Sequence, residues 1–234
     1  MNPVLVVSKL TAGYGHVEVV HGLDLHVEAG EIVALLGPNG AGKTTTLLAI
    51  AGAIPSRGQV ELAGRPAPAT LLGRTRRGLA FLPDQRGVIR ALTVEQNLRL
   101  AGLPPAVAYQ ISPELQVLKN RRAADLSGGE QQILAITRAI ASGPELLLAD
   151  ELSFGLGPII ITRMFDLLRK AAEQGAGILL VEQYARRALQ IADRAYILQR
   201  GTVAVGGQAA ELLADIDILE RSYLGAVAKP TLPD

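Results

Sequence analysis

Two short stretches of this chain carry the residue types that hold phosphate. The first, Gly37-Pro38-Asn39-Gly40-Ala41-Gly42-Lys43-Thr44, sets glycines where a backbone must fold back on itself and follows them with a lysine and a hydroxyl. Glycine tolerates the left-handed conformations of such a turn, so successive N–H groups can converge on one anion, and a helix starting there adds its partial positive charge. Lys43 can then neutralise the β- and γ-phosphates of a nucleotide and Thr44 can ligate Mg²⁺, with Thr45 next along the same helix. The second stretch, Leu126-Ser127-Gly128-Gly129-Glu130, offers a hydroxyl and glycine N–H groups at another helix start. That makes it a second anion cradle or, more plainly, a serine-capped helix with a glycine entry. A pair of carboxylates, Asp150 and Glu151, closes the apolar run Leu146 to Ala149. Neighbours at a strand end point different ways, so Asp150 suits the Mg²⁺ shell while Glu151 can take a proton from a water attacking the γ-phosphate.

These residues need a scaffold that brings distant loops together, and the apolar pattern supplies one. Ile32 to Leu36 reads as a strand, the glycine loop follows it, and Thr45 to Ala51 reads as a helix; that order is the context a phosphate-binding loop requires. Leu146 to Ala149, Gly177 to Val181 and Ala195 to Leu198 are short continuous apolar runs, as expected of parallel strands buried on both faces. Upstream, Val4 to Val7 and Val17 to Val27 read as antiparallel strands, the second alternating through Val19, His21, Leu23, Leu25 and Val27. Gln59 to Leu62 and Leu79 to Leu82 are further strands, and Arg200-Gly201 suits the turn of a closing hairpin. Between Asp84 and about Gly143 the pattern is helical: Thr93 can cap Val94 to Leu100, Pro113 opens a segment, and Ser127 can cap Gly129 to Ala141. The expected architecture is α/β: a P-loop NTPase core with a RecA-like, largely parallel sheet, an N-terminal antiparallel β subdomain and an inserted α-helical subdomain. Its expected division is a core of 1–83 and 144–234 with 84–143 inserted, all within one domain of 1–234.

Composition narrows the partners. The 234 residues are 49% hydrophobic with formal net charge +1, enough for a buried core and too neutral to attract nucleic acid through the bulk surface. No cysteine is present, which removes disulfides, thiolate chemistry and cysteine metal sites. The first residues lack the basic and apolar regions of a signal peptide, and no apolar run is long enough to cross a bilayer. His16, His21 and His26 lie away from the phosphate-binding stretches and read as structural or exposed.

Over nearly its whole length the chain resembles the ATP-binding subunits of ABC transporters, because Leu126-Ser127-Gly128-Gly129-Glu130-Gln131-Gln132 matches their signature motif. The resemblance implies ATP and Mg²⁺ as cofactors and a head-to-tail pairing with a second ATPase subunit, Ser127 to Glu130 of one copy closing on the ATP of the other. It also implies transmembrane permease partners, a solute-binding protein reached indirectly, and a peripheral place on the cytoplasmic face of the membrane. Tyr14 falls where an aromatic stacks on adenine, and Asp84 or the adjacent Gln85 where a residue links Mg²⁺ to the helical subdomain. Gln183 falls where most relatives have a γ-phosphate-sensing histidine, giving it a catalytic place beside Glu151 and Lys43.

Gly155-Leu156-Gly157-Pro158-Ile159-Ile160-Ile161, Val181-Glu182-Gln183, Thr93 to Leu98 and Tyr223-Leu224-Gly225 resemble the branched-chain amino acid importers, whose urea-importing relatives are similar. Other small-solute importers and a weakly hydrolysing regulatory ATPase are the alternatives. Three positions depart from the pattern. Leu152 replaces a proline, so the loop after Glu151 is expected to gain freedom; Gly157 stands for Asp or Ala; and the segment Leu98 to Leu126 is short.

Overall fold

The computed structural model describes residues 3–84, 87–102, 104–153 and 155–215. It begins with β1 (Pro3–Tyr14), β2 (Val17–Glu28), β3 (Ile32–Leu36), α1 (Lys43–Ala51), β4 (Ser56–Leu62), β5 (Arg65–Pro66), α2 (Leu71–Thr75) and β6 (Leu79–Leu82). A helical stretch follows, with α3 (Val94–Arg99), α4 (Pro105–Ile111), α5 (Glu114–Val117), a 3₁₀ turn at Ala123–Asp125 and α6 (Gly128–Ala141). The chain then alternates through β7 (Leu146–Asp150), α7 (Pro158–Glu173), β8 (Gly177–Val181), α8 (Ala185–Ile191), β9 (Arg194–Gln199), β10 (Thr202–Gln208) and α9 (Ala209–Ala214).

Two sheets result. One is antiparallel, in the order β2-β1-β4-β5; the other runs β10-β9-β3-β8-β7-β6, parallel from β9 to β6 with β10 antiparallel at its edge. Every residue of β3, β7 and β8 is buried, the signature of strands covered on both faces. Alternation divides them: Leu147, Ala149, Ile178 and Leu180 face α6 and α7, while Leu146, Leu148, Leu179 and Val181 face α1 and the antiparallel sheet. The α/β fold with an antiparallel sheet is therefore as the apolar pattern implied. β6 and β7 are parallel partners even though the whole helical stretch lies between them.

Two local readings change. β1 runs on to Tyr14 because a bulge, with Lys9 at φ 52° and the register slipping between Val7 and Leu10, resets the alternation that otherwise stops at Val7. In β2 a second irregularity at Gly22, φ 62°, puts Val20 inward with Leu23, Leu25 and Val27, leaving His21 exposed instead of Val19 and His21 facing in. Within the expected helical stretch α4, not marked out separately by the sequence, opens on Pro104-Pro105, where a fixed φ and a missing N–H suit a first turn.

Candidate functional site

The glycine loop leaves β3 through backbone that only glycine holds at ease. Gly37 sits at φ 151°, and a Cβ there would lie 2.3 Å from the Leu198 carbonyl oxygen. Gly40 and Gly42 are left-handed at φ 79° and 104°. Two tethers fix the loop: Ala41 N–H donates to the Pro38 carbonyl at 3.1 Å, and Gly201 N–H to the Ala41 carbonyl at 3.0 Å. The helix begins at Lys43, two residues before Thr45, and ends on left-handed Gly52, with the buried Arg74 guanidinium donating to the carbonyls of Ala49 and Ile50. A cation there complements the negative end of the helix whose positive end faces the loop.

Five parallel strands run the same way, and the residues at four of their C-terminal ends meet. Lys43 follows β3, Asp150 and Glu151 end β7, Gln183 follows β8, and Asp84 follows β6. A cleft of about 390 Å³ is lined by Asn39, Gly40, Gly42, Lys43, Thr44 and Thr45, by Glu151 and Gln183, and by Val19 of the antiparallel sheet. Lys43 is only 5% exposed. Its Nζ donates to the carbonyls of Gly37 at 2.9 Å and Pro38 at 3.2 Å and stands 3.9 Å from a Glu151 carboxylate oxygen. Burial pulls the ammonium below its ordinary pKa, while Glu151 and Asp150 pull the other way. Glu151 adopts φ 44°, left-handed for a residue with a Cβ, while its N–H still reaches the Val181 carbonyl at 2.9 Å. Strain of this kind costs about 1–3 kcal/mol and gathers where geometry serves chemistry.

Asp150 is buried and its Oδ1 has no hydrogen-bond partner. Burial raises its pKa to about 6, helped by the charges of Glu151 and Asp84; the Thr44 hydroxyl and Lys43 oppose the rise. Asp84 itself is exposed, and Gln85 lies outside the described residues. An orphaned carboxylate oxygen beside a hydroxyl fits a hard divalent cation. Among the described residues no three His, Asp or Glu side chains converge to hold a metal alone. Mg²⁺ commonly takes one or two protein oxygens and completes its shell with phosphate and water.

The second stretch lies apart, and neither Ser127, Gly128, Gly129 nor Glu130 lines the cleft. Ser127 caps α6: its hydroxyl accepts from Glu130 N–H at 3.3 Å, and the Glu130 carboxylate accepts from Ser127 N–H at 2.6 Å. That bond to the Ser127 backbone, more than the nearby Arg121, holds the Glu130 carboxyl below the ordinary range against the effect of burial. Glu130 is thus an anion that shapes the turn at the start of α6. Gly129 is required by packing, because a Cβ there would come within 2.8 Å of Ile160 on α7. Tyr14, half exposed, borders another cleft with Ile54 and Arg57.

Leu152, which stands where a proline was expected, is packed into the core. It is 3% exposed in the core that α6 and α7 share, so packing supplies the anchorage a proline would give through φ. Ser153 is tied as well: its N–H and Oγ–H both donate to the buried carboxylate of Glu182, at 3.1 and 2.6 Å. Burial pushes the Glu182 carboxyl up while the Ser153 bonds pull it down. Sequence reasoning assigned no separate role to Glu182, although an acid directly after four apolar strand residues is a visible feature. Phe154 and Tyr223 to Gly225 lie outside the described residues.

The profile of the family described as "ABC transporter" matches residues 20–153, more than half of the chain. The chain belongs to the ABC transporter family. It is 39% identical over 95% of its length to the whole of a high-affinity branched-chain amino acid transport ATP-binding protein, BraG, from Pseudomonas aeruginosa. It is also 39% identical to a probable branched-chain amino acid transport ATP-binding protein, LivF, from Archaeoglobus fulgidus, covering 94% of this chain and 98% of that one. The lipopolysaccharide export ATP-binding protein LptB of Escherichia coli K12 is 32% identical over 94% of this chain and 97% of its own. A solved ATP-binding subunit of an ABC transporter superposes with TM-score 0.82 at 30% identity, covering 96% of this chain and all of that one. This protein is an ABC transporter ATP-binding subunit and an ATPase. No helix among its described residues is long and apolar enough to cross a membrane.

Proposed function

We propose that this chain powers an importer of branched-chain amino acids by hydrolysing ATP at the strand-end cleft. The observation that carries the catalytic part is the meeting of Lys43, Glu151 and Gln183 around one cleft with the orphaned Asp150 oxygen next to it. The loop N–H groups from Asn39 to Thr45 and the Lys43 ammonium bind the β- and γ-phosphates, Lys43 exchanging the Gly37 and Pro38 carbonyls for phosphate oxygens. Thr44 and Asp150, with Asp84 at the edge, would hold Mg²⁺, whose charge favours the phosphate group in transfer. Glu151, held out by its left-handed backbone, accepts the proton of the attacking water, and Gln183 orients that water against the γ-phosphate. Tyr14 stacks on the adenine.

The signature turn is remote from its own cleft, so it serves the nucleotide of a second subunit, and the closed state is a head-to-tail pair. The helical stretch from 84 to 143 is an insertion that meets transmembrane permease subunits. The amino acid reading is supported by Val181-Glu182-Gln183 and by greater identity to BraG and LivF than to LptB. Copurification from membranes tests it. Recovery of a permease whose reconstituted vesicles take up leucine in an ATP-dependent way is expected; uptake of urea instead, or recovery of a lipopolysaccharide-export permease, overturns the substrate assignment.

A further inference from the structure

Glu182 is a buried ionisable group that the mechanism above leaves unused. Only 2% of it is exposed, and Ser153, its partner, is 3% exposed. β7 and β8 pair in parallel register up to Asp150 with Val181, and one more backbone bond joins Glu151 N–H to the Val181 carbonyl. There the ladder stops, because the left-handed φ of Glu151 turns the chain away from β8. One residue further on, the Glu182 side chain bridges the gap: one carboxylate oxygen takes the Ser153 N–H at 3.1 Å and the other its Oγ–H at 2.6 Å. Glu151 is thereby bracketed between a bond to Val181 and a bond to the residue after Val181. Gln183, the next residue on, shares the same fixed strand end.

We infer that Glu182 is a positioning residue for hydrolysis, its carboxylate clamping Ser153 so that Glu151 and Gln183 keep a fixed mutual placement. The inference rests on the roles proposed for those two residues. A carboxylate suits the task because it accepts two donors at once and presents none, whereas an amide would turn an N–H₂ toward one of them. Burying an acid is a costly way to stabilise a fold, since well-packed apolar groups do as well or better. What it supplies at a strand end is a geometry with two fixed directions. The clamp also lies where Leu152 gives the loop no proline to set its course, so Leu152 packing and the Glu182–Ser153 contact together do that work.

The test compares Glu182→Gln, Ser153→Ala and the double variant in the full chain. Phosphate release, ATP affinity by calorimetry and thermal melting are measured, with rates normalised to titrated ATP sites. Misplacing a catalytic group by about 1 Å costs up to roughly 100-fold. Each single variant should therefore lower kcat by between about 10- and 100-fold and leave ATP affinity and KM within about two-fold. The double variant should be no slower than the slower single one, because both changes break one contact. Should Glu182→Gln fail to fold, Ser153→Ala, which removes one oxygen, carries the comparison. Unchanged kcat per titrated site with only a lower melting temperature would overturn the inference by making the contact merely structural. Independent, multiplying losses in the double variant would overturn it too. Glu151→Gln run in parallel keeps the two readings apart: if it turns over like wild type, the base assignment falls, whereas its collapse beside unimpaired Glu182 and Ser153 variants removes the clamp alone.

Discussion

Lys43→Met separates what this lysine does for the fold from what it does for ATP. Methionine keeps much of the unbranched stem and deletes the ammonium. In the structure that ammonium bonds the Gly37 and Pro38 carbonyls and stands 3.9 Å from Glu151, but burial opposes its charge. The Pro38 carbonyl keeps Ala41 N–H as a partner, so one carbonyl is left needing water, a loss of about 1 kcal/mol. Relief from burying the ammonium offsets it, and the nucleotide-free melting temperature should move by no more than about 4 °C. ATP binding behaves otherwise. Truncating one partner of a buried charged contact costs roughly 2–5 kcal/mol, or about 30- to several-thousand-fold in affinity. With MgATP at about 100 times the wild-type Kd, binding stabilises wild type by about 2.7 kcal/mol, a rise of roughly 5–11 °C for a chain of this size. At the same ATP concentration the variant would gain less than about 1 kcal/mol, or under roughly 4 °C. Thermal melting with and without MgATP reads both numbers, and calorimetry checks the affinity. A variant that keeps the full ATP-dependent rise would refute the phosphate role, and one that collapses without nucleotide would show that Lys43 chiefly holds the loop together.

Asp150→Asn should stabilise the nucleotide-free protein at pH 7.5. The folded carboxyl titrates near 6, above its ordinary 3.8, so its stabilising contribution is whole below pH 3.8 and is lost as pH rises through about 6. The gain at neutral pH is at most roughly 3 kcal/mol and should vanish toward pH 4; a melting-temperature difference that does not change with pH contradicts it. Ser127→Arg should leave ATP affinity intact while light scattering shows no ATP-dependent dimer; a normal dimer would contradict a signature turn that serves the opposite subunit. Gly129→Ala should cost about 1–3 kcal/mol by pressing a methyl onto Ile160, a branched side chain with little room to yield. Denaturant unfolding should show the loss, and no loss would mean that α6 and α7 pack less closely than described.

What was legible in the sequence was what local stereochemistry dictates. Gly37, Gly40 and Gly42 marked the loop because it needs backbone that other residues resist, and Ser127 marked the start of α6 as a helix cap, while the reciprocal bond from Glu130 appears only in the structure. The buried strands β3, β7 and β8 announced themselves as unbroken apolar runs. What escaped depends on contacts between distant residues. Alternation in β1 and β2 breaks at Lys9 and Gly22, where bulges change the inward phase without any change in composition. Leu152 looked like a loss of constraint because a missing proline is visible locally, while its burial in the core between α6 and α7 follows from how those helices pack. Glu182 beside Ser153 joins residues 29 apart and had no local signature beyond an acid at the end of an apolar strand.

The central claim is that Glu151 performs proton acceptance in a site where other residues bind ATP. Glu151→Gln preserves size and strand-end position and removes the carboxylate that general-base catalysis needs, a loss of about 10²- to 10⁴-fold. Steady-state phosphate release, measured together with ATP affinity and gel-filtration size, should show hydrolysis falling by that factor, affinity unchanged, and an ATP-bound dimer accumulating that wild type forms only in passing. Equal rates for the two proteins, both well above the rate without enzyme, would contradict the account.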